Sequence, residues 1–294
     1  MHIQWYPGHM AKAKRNIRED LKLVDLVIEV VDARCPESSR NPDVDSFAKE
    51  KSRILLLNKA DLADKKETKR FASYYAKKGF YTMEIDARNK GSLKKLPSLI
   101  DEACQPLIEK NLKRGIKTPT IRAMVLGIPN VGKSTFINTY VGKAMAKTGN
   151  KPGVTRGNQW INVGKRLQLL DTPGITWPKF EREIVGLNLA MIGSINDQII
   201  NIDELVFYLL KYLVRYYPDA LTNRYGETVT DDEEAIKVFD AIGKKRGCIK
   251  KGGDVDYSKT AKIILDDFRS GRLGNITLEH VPGGIDDEQD QSET

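Results

Sequence analysis

Residues 127–134 read GIPNVGKS, two glycines five positions apart followed by lysine and serine. In this spacing the glycines let backbone N–H groups turn inward, and a following helix aims its positive end at the same point. Lys133 is placed to reach the β/γ-phosphates of a nucleotide and the Ser134 hydroxyl to bind Mg²⁺, with Asn130, Val131, Gly132 and Thr135 completing the cradle. DTPG (171–174) follows 37 residues after Ser134. It places Asp171 to hold Mg²⁺ through water and the Gly174 N–H to sense a γ-phosphate. Between them, KPGVTRG (151–157) offers Thr155 as a second hydroxyl to the metal. A fourth stretch, NKAD (58–61), comes earlier in the chain. Guanine presents two donors, N1–H and the 2-amino group, on one edge; the Asp61 carboxylate can accept both, and adenine has no matching pair. Asn58 is suited to the purine N7 or O6 side and to bracing the loops, and the Lys59 stem to covering the ring face. IDAR (85–88) adds the Ala87 N–H for the guanine O6, preceded by Asp86. GTP is preferred over ATP on this reading.

These residues need a scaffold that brings them to one edge. LVIEVVD (26–32), RILLLN (53–58), FYTMEID (80–86) and RAMVLGI (122–128) read as strands, and NQWINV (158–163) with KRLQLLD (165–171) as a hairpin across Gly164. STFINTYVG (134–142) and the basic stretch 10–24 read as helices. Strands alternating with helices predict an α/β domain with a doubly wound, mostly parallel sheet. Beyond about 176 the strands stop. DELVFYLLKYLVRYYP (203–218), with Asp203 as N-cap, TDDEEAIKVFDAIG (230–243), with a Thr230/Glu233 capping box and a stop at Gly243, and SKTAKIILDDFRSG (258–271) read as helices. The expected division is a nucleotide-binding domain over 1–177, a small all-α domain over 178–284, and a disordered acidic tail over 285–294.

Composition sets the outer limits. Hydrophobic residues make up 40% of the 294 and charged residues 30%, the profile of a globular chain. The apolar runs are too short to cross a bilayer, and WYPGHM near the start is no signal-peptide core, so a cytoplasmic protein with no membrane partner is expected. Cys35, Cys104 and Cys248 are too dispersed for a disulfide framework or a zinc site. Net charge is +8, although the last nine residues carry five acids and no base, which leaves +13 on residues 1–285. That balance favours a polyanionic partner. KKRGCIKKGG (244–253) concentrates Lys244, Lys245, Arg246, Lys250 and Lys251 beside flexible glycines, and Lys12, Lys14, Arg15 and Arg18 offer a second basic contact. No long heptad pattern is present, and a monomer is expected.

WYPGHMAKA (5–13), VDAR (31–34), NKAD, GIPNVGKST, GVTRG and DTPG, followed by a helical region, together resemble the circularly permuted P-loop GTPases of the TRAFAC class. The resemblance is to their bacterial ribosome-assembly branch, and it covers nearly the whole chain. It implies a re-ordered G domain, GTP hydrolysis to GDP and phosphate, and action late in assembly of the large ribosomal subunit. It also implies that the helical domain binds ribosomal RNA. One departure is Asp86, where the usual base-reading loop has serine, so a hydroxyl that braces that loop is lost.

The residue after DTPG is Ile175, where many small GTPases carry the glutamine that orients the attacking water. Slow turnover by the chain alone, stimulated by the ribosomal particle, is therefore expected. Asn130 resembles the loop asparagine of potassium-activated GTPases, which implies K⁺ beside Mg²⁺ near the β/γ-phosphates. His9, between a Pro-Gly turn and the basic helix, can orient or deprotonate water, and in the resembled family this histidine is the proposed substitute for the glutamine. A second reading keeps the GTPase but makes it a signalling switch whose helical domain binds a protein. The basic cluster and the WYPGHM start favour the ribosomal reading.

Overall fold

The computed structural model describes residues 15–143, 159–174, 182–226 and 234–282. Six strands, β1 (Leu26–Asp32), β2 (Ser52–Asn58), β3 (Tyr81–Ile85), β4 (Ile121–Leu126), β5 (Gln159–Val163) and β6 (Leu167–Asp171), form one sheet in the order β3-β2-β1-β4-β6-β5. All neighbours run parallel except β5 against β6. The β5–β6 hairpin turns at Gly164, which adopts φ 61°. β1 is buried along its whole length, which explains why its sequence does not alternate: a central parallel strand is covered on both faces. Its one acidic interior residue, Glu29, accepts from Arg40 Nε at 3.0 Å and Arg53 Nε at 3.1 Å.

The chain winds outward through β1, β2 and β3, then returns to the other side of β1 with β4. The strand order therefore reverses between β1 and β4. The loops that leave β1, β2, β3, β4 and β6 all open at the carboxyl end of the sheet, where such a reversal forms a crevice. Around the sheet lie α1 (Asp43–Phe47), α2 (Lys65–Lys77), α3 (Leu96–Ala103), α4 (Gln105–Lys113) and α5 (Lys133–Val141). Asp64 caps α2 by accepting from the Lys66 and Glu67 amides. Of the basic helix expected over 10–24, residues 15–20 are helical and pass into a tighter turn at Leu21–Leu23; residues 10–14 lie outside the described set.

The second half is helical: α6 (Glu183–Met191), α7 (Ile202–Tyr216), α8 (Pro218–Tyr225), α9 (Ala235–Lys245) and α10 (Tyr257–Arg269). α7 is central and packs on the other four. Its face of Leu205, Val206, Leu209, Leu210, Leu213 and Val214 is buried, at about 1.5–3 kcal/mol for each large apolar side chain. One apolar cluster joins these residues to Leu26, Ile28 and Val30 of the sheet.

Two boundaries differ from the sequence reading. The α7 cap is Asn201, not Asp203: the Asn201 side chain accepts from the Asp203 and Glu204 amides. Asp203 is already in the first turn, and its carboxylate accepts from Ser258 Oγ at 2.7 Å. Gly243 does not end its helix. α9 runs to Lys245, and the left-handed residue is Gly247 at φ 65°. Gly243 is instead a packing glycine, because a Cβ there would lie 2.4 Å from Val255 Cγ1 and 3.0 Å from Thr260 Oγ1. Thr230 and Glu233 lie outside the described residues.

Candidate nucleotide site

β4 delivers the glycine-rich loop into the crevice, and α5 starts at Lys133. The loop and the NKAD segment are tied together directly. Asn58 Nδ2 donates to Val131 O at 2.6 Å, and Lys59 Nζ donates to Asn130 O at 2.9 Å. Gly132 makes this approach possible. It adopts φ 97°, and a Cβ on it would lie 2.2 Å from Asn58 Nδ2, so any side chain would displace the bridge. Lys59 and Asn130 themselves hold positive φ, 60° and 64°, conformations that cost non-glycine residues and that these contacts sustain.

The β3 loop joins through the same side chain. The Ala87 amide, expected to face the purine O6, donates to Asn58 Oδ1 at 2.9 Å. Asn58 thus joins the loops after β2, β3 and β4. At Asp86, which stands where serine is usual, the carboxylate accepts from the Arg88 amide at 3.0 Å and the backbone carbonyl accepts from Ser92 Oγ at 2.7 Å. Burial raises the Asp86 carboxyl, but the hydrogen bonds from Arg88 outweigh it and hold the group below its ordinary value. Asp61, the expected reader of guanine, is partly exposed and accepts from Arg88 Nη2 at 2.6 Å.

On the phosphate side, Lys133 Nζ donates to Asp171 Oδ1, with both side chains buried. Burial lowers the Lys133 ammonium from its ordinary value, against the pull of Asp171. Ser134 is half-buried in the first turn of α5. Gly174 lies against the glycine-rich loop, where a Cβ would come within 3.0 Å of Pro129 N. Thr172 Oγ1 donates to Val125 O at 2.8 Å, fixing the DTPG segment to β4. The serine hydroxyl and Asp171 carboxylate are hard oxygen donors of the kind Mg²⁺ takes beside nucleotide phosphates, and Lys133 already places a cation on Asp171. Among the described residues no cluster of three or more His, Cys, Asp or Glu forms a metal site by itself. A cleft of about 220 Å³ opens between the base loops and the phosphate loop, its lining including Asn58, Lys59, Ala87, Gly132, Thr135 and, from the helical half, Arg269.

A family model described as 50S ribosome-binding GTPase matches residues 122–237. The chain is 49% identical to Ribosome biogenesis GTPase A of Priestia megaterium over 95% of its own length and 97% of that protein. It belongs to the ribosome biogenesis GTPase A family. The Bacillus cereus protein of the same name is 47% identical, over 95% of this chain and 94% of its own. The crystal structure of GNP-bound YlqF from Thermotoga maritima superposes with a TM-score of 0.65 at 28% identity, covering 93% of this chain and all of that one. In this family member the NKAD, IDAR, GIPNVGKS and DTPG segments lie together at the carboxyl end of the sheet.

The sequence assigned no role to three parts of the site. Asp32, fully buried at the end of β1, accepts from Arg34 Nε at 2.9 Å and Nη2 at 2.8 Å and pairs with Lys59 Nζ at 2.8 Å. Burial opposes its charge, yet Arg34 and Lys59 hold its carboxyl well below the usual carboxylate range. Arg34, in the VDAR stretch, also reaches Arg269 O at 3.4 Å. Arg269, at the end of α10, donates to the Ala190 and Met191 carbonyls and pairs with Asp197 at 2.7 Å. Finally, the turn after α6 holds the glycine-rich loop: Asn130 Nδ2 donates to Gly193 O at 2.6 Å, and Ser194 Oγ to Pro129 O at 2.7 Å. The charged pair in VDAR was a visible signal; the contacts of residues 193, 194 and 269 had none.

His9, Thr155 and Ile175 lie outside the described residues. Lys244, Lys245, Arg246, Lys250 and Lys251 are all exposed at the end of α9 and around the turn that follows it. Lys245 Nζ donates to Gly226 O at 3.0 Å, and the Arg246 guanidinium stands 5.2 Å from the Tyr225 ring centroid. Among the described residues no helix is long and apolar enough to cross a membrane.

Proposed function

We propose that this chain is a GTP-hydrolysing assembly factor that docks on the precursor of the large ribosomal subunit through ribosomal RNA, acts late in its maturation and leaves on hydrolysis. The observation that carries the nucleotide half is the Asn58 amide, which ties both base-reading loops to the phosphate loop at the reversal of the sheet. Asp61 reads the guanine, and the Ala87 N–H joins it by exchanging Asn58 Oδ1 for the purine O6. Lys133 and the loop amides cradle the phosphates, and Ser134 and Asp171 hold Mg²⁺, with Thr155 adding a hydroxyl. The Gly174 N–H senses the γ-phosphate.

Turnover is slow in the chain alone, since Ile175 cannot orient water. His9 supplies that function on the particle, and K⁺ beside Asn130 adds charge at the β/γ-phosphates. The division at 177/178 separates a G domain from a helical region that binds RNA through the exposed Lys244, Lys245, Arg246, Lys250 and Lys251. The names carried by the family's members and the net basic chain support the ribosomal half. The chain acts as a cytoplasmic monomer. Sedimentation tests this reading. With a non-hydrolysable GTP analogue the chain should co-migrate with large-subunit particles and with GDP it should not; equal migration in both states would refute release on hydrolysis.

A further inference from the structure

Three consecutive carbonyls of the base-reading loop, those of Asp61, Leu62 and Ala63, take donors from two consecutive residues more than 200 positions away. Asn275 Nδ2 donates to Asp61 O and to Ala63 O, each at 2.9 Å, and the Ile276 amide donates to Leu62 O at 3.1 Å. The same segment continues across the neighbouring loops. Thr277 Oγ1 accepts from the Asp64 amide at 3.1 Å, the Leu278 amide donates to Arg34 O at 2.7 Å, and the Glu279 carboxylate accepts from the Glu37 and Ser38 amides. Ile276, Thr277 and Leu278 are buried, so the segment is anchored independently of the exposed Asn275 side chain.

We infer that Asn275, in the helical half, is a positioning residue for guanine recognition. A carboxylate that accepts two donors from one base edge must be held to within about half an ångström of its productive position. Asn275 fixes the peptide carbonyls on both sides of Leu62, and with them the backbone that carries the Asp61 carboxylate. The base site is then built from both halves of the chain, with residues 275–277 supporting NKAD and the backbone that follows it. This rests on reading residues 58–61 as the guanine-reading loop.

The test uses the full chain, a fluorescent GDP probe and competition by GDP, inosine diphosphate and ADP. Inosine lacks the 2-amino group, so its diphosphate reports on one of the two bonds to Asp61. In Asn275→Ala and Asn275→Asp, GDP affinity should fall by about fivefold, the low end for one exposed and one part-buried hydrogen bond. The preference for GDP over inosine diphosphate should shrink, while affinity for inorganic pyrophosphate, which reports on the phosphate loop alone, stays unchanged. Equal losses for GDP and inosine diphosphate, or unchanged GDP affinity, would overturn the assignment and leave Asn275 a structural residue only. A wild-type chain that binds ADP as tightly as GDP would overturn the guanine reading itself, and the inference with it. Asn275→Ala introduces no charge and sits at the surface, so a folded variant is available if Asn275→Asp misfolds.

Discussion

Replacing Asp32 by asparagine keeps the volume of a fully buried side chain while removing its charge. The new amide would point an N–H₂ group or a weaker acceptor at Arg34, a guanidinium only 2% exposed. Arg34 would then keep the distant Arg269 carbonyl at 3.4 Å and the Phe268 ring, 5.2 Å from its guanidinium carbon. Breaking a buried ion pair from one side costs about 3–5 kcal/mol, because a charge is left without compensation. Lys59 is more exposed and retains the Asn130 carbonyl at 2.9 Å, which points to the lower end, about 3 kcal/mol. That is a large share of a typical folding free energy of about 5–15 kcal/mol. Equilibrium urea unfolding should show the midpoint falling with an unchanged slope. The pH dependence follows from the depressed carboxyl of Asp32. A folded value below the unfolded one gives stability that is fully present above the unfolded value, near 3.9, and is lost as pH falls toward the folded value. The gap between wild type and Asp32→Asn should be flat from about pH 5 to 8 and narrow below about pH 4. Replacing both partners, Asp32→Leu with Arg34→Met, should recover more than half the loss, since the buried guanidinium goes with its carboxylate and only the part-exposed Lys59 ammonium, which keeps the Asn130 carbonyl, loses an ion pair. A loss under about 1 kcal/mol, or a gap that does not narrow in acid, would refute the reasoning.

Other perturbations read different parts of the molecule. Gly132→Ala puts a Cβ 2.2 Å from Asn58 Nδ2 at a positive φ; titration calorimetry should show at least a tenfold loss of GDP affinity, roughly the 1–3 kcal/mol of backbone strain, with unchanged circular dichroism. Gly243→Ala sets a helix-propensity gain of about 1 kcal/mol against overpacking of about 1–3 kcal/mol on Val255. The overpacking should win, and a raised melting temperature would show that α9 and the 248–256 turn yield instead. Reversing Lys244, Lys250 and Lys251 to glutamate should weaken binding to large-subunit ribosomal RNA and flatten its salt dependence by up to about three units of slope, one for each phosphate no longer neutralised.

The chemistry of this chain was legible because phosphate and guanine recognition need particular residues at short spacings. GIPNVGKS, NKAD and DTPG could be assigned from eight or four letters each, and their flanking apolar runs named the strands that carry them. What escaped the sequence was long-range. Asn201 and Asp203 are both good capping residues two positions apart, and only the extended backbone of Asn201 decided between them. Gly243 looked like a stop because glycine commonly ends helices, whereas here the missing side chain makes room for Val255. Asn275 carries no motif at all. Its role comes from a segment that leaves α10, crosses back to the other half of the chain and meets loops more than 200 residues upstream.

Turnover on the ribosomal particle is the decisive measurement for a ribosome-coupled GTPase. Phosphate release should be slow with the purified chain and GTP, rise severalfold or more on adding large-subunit particles, and stay at background with ATP in their presence. Equal turnover with and without particles, or stimulation of ATP hydrolysis to the same level, would contradict it.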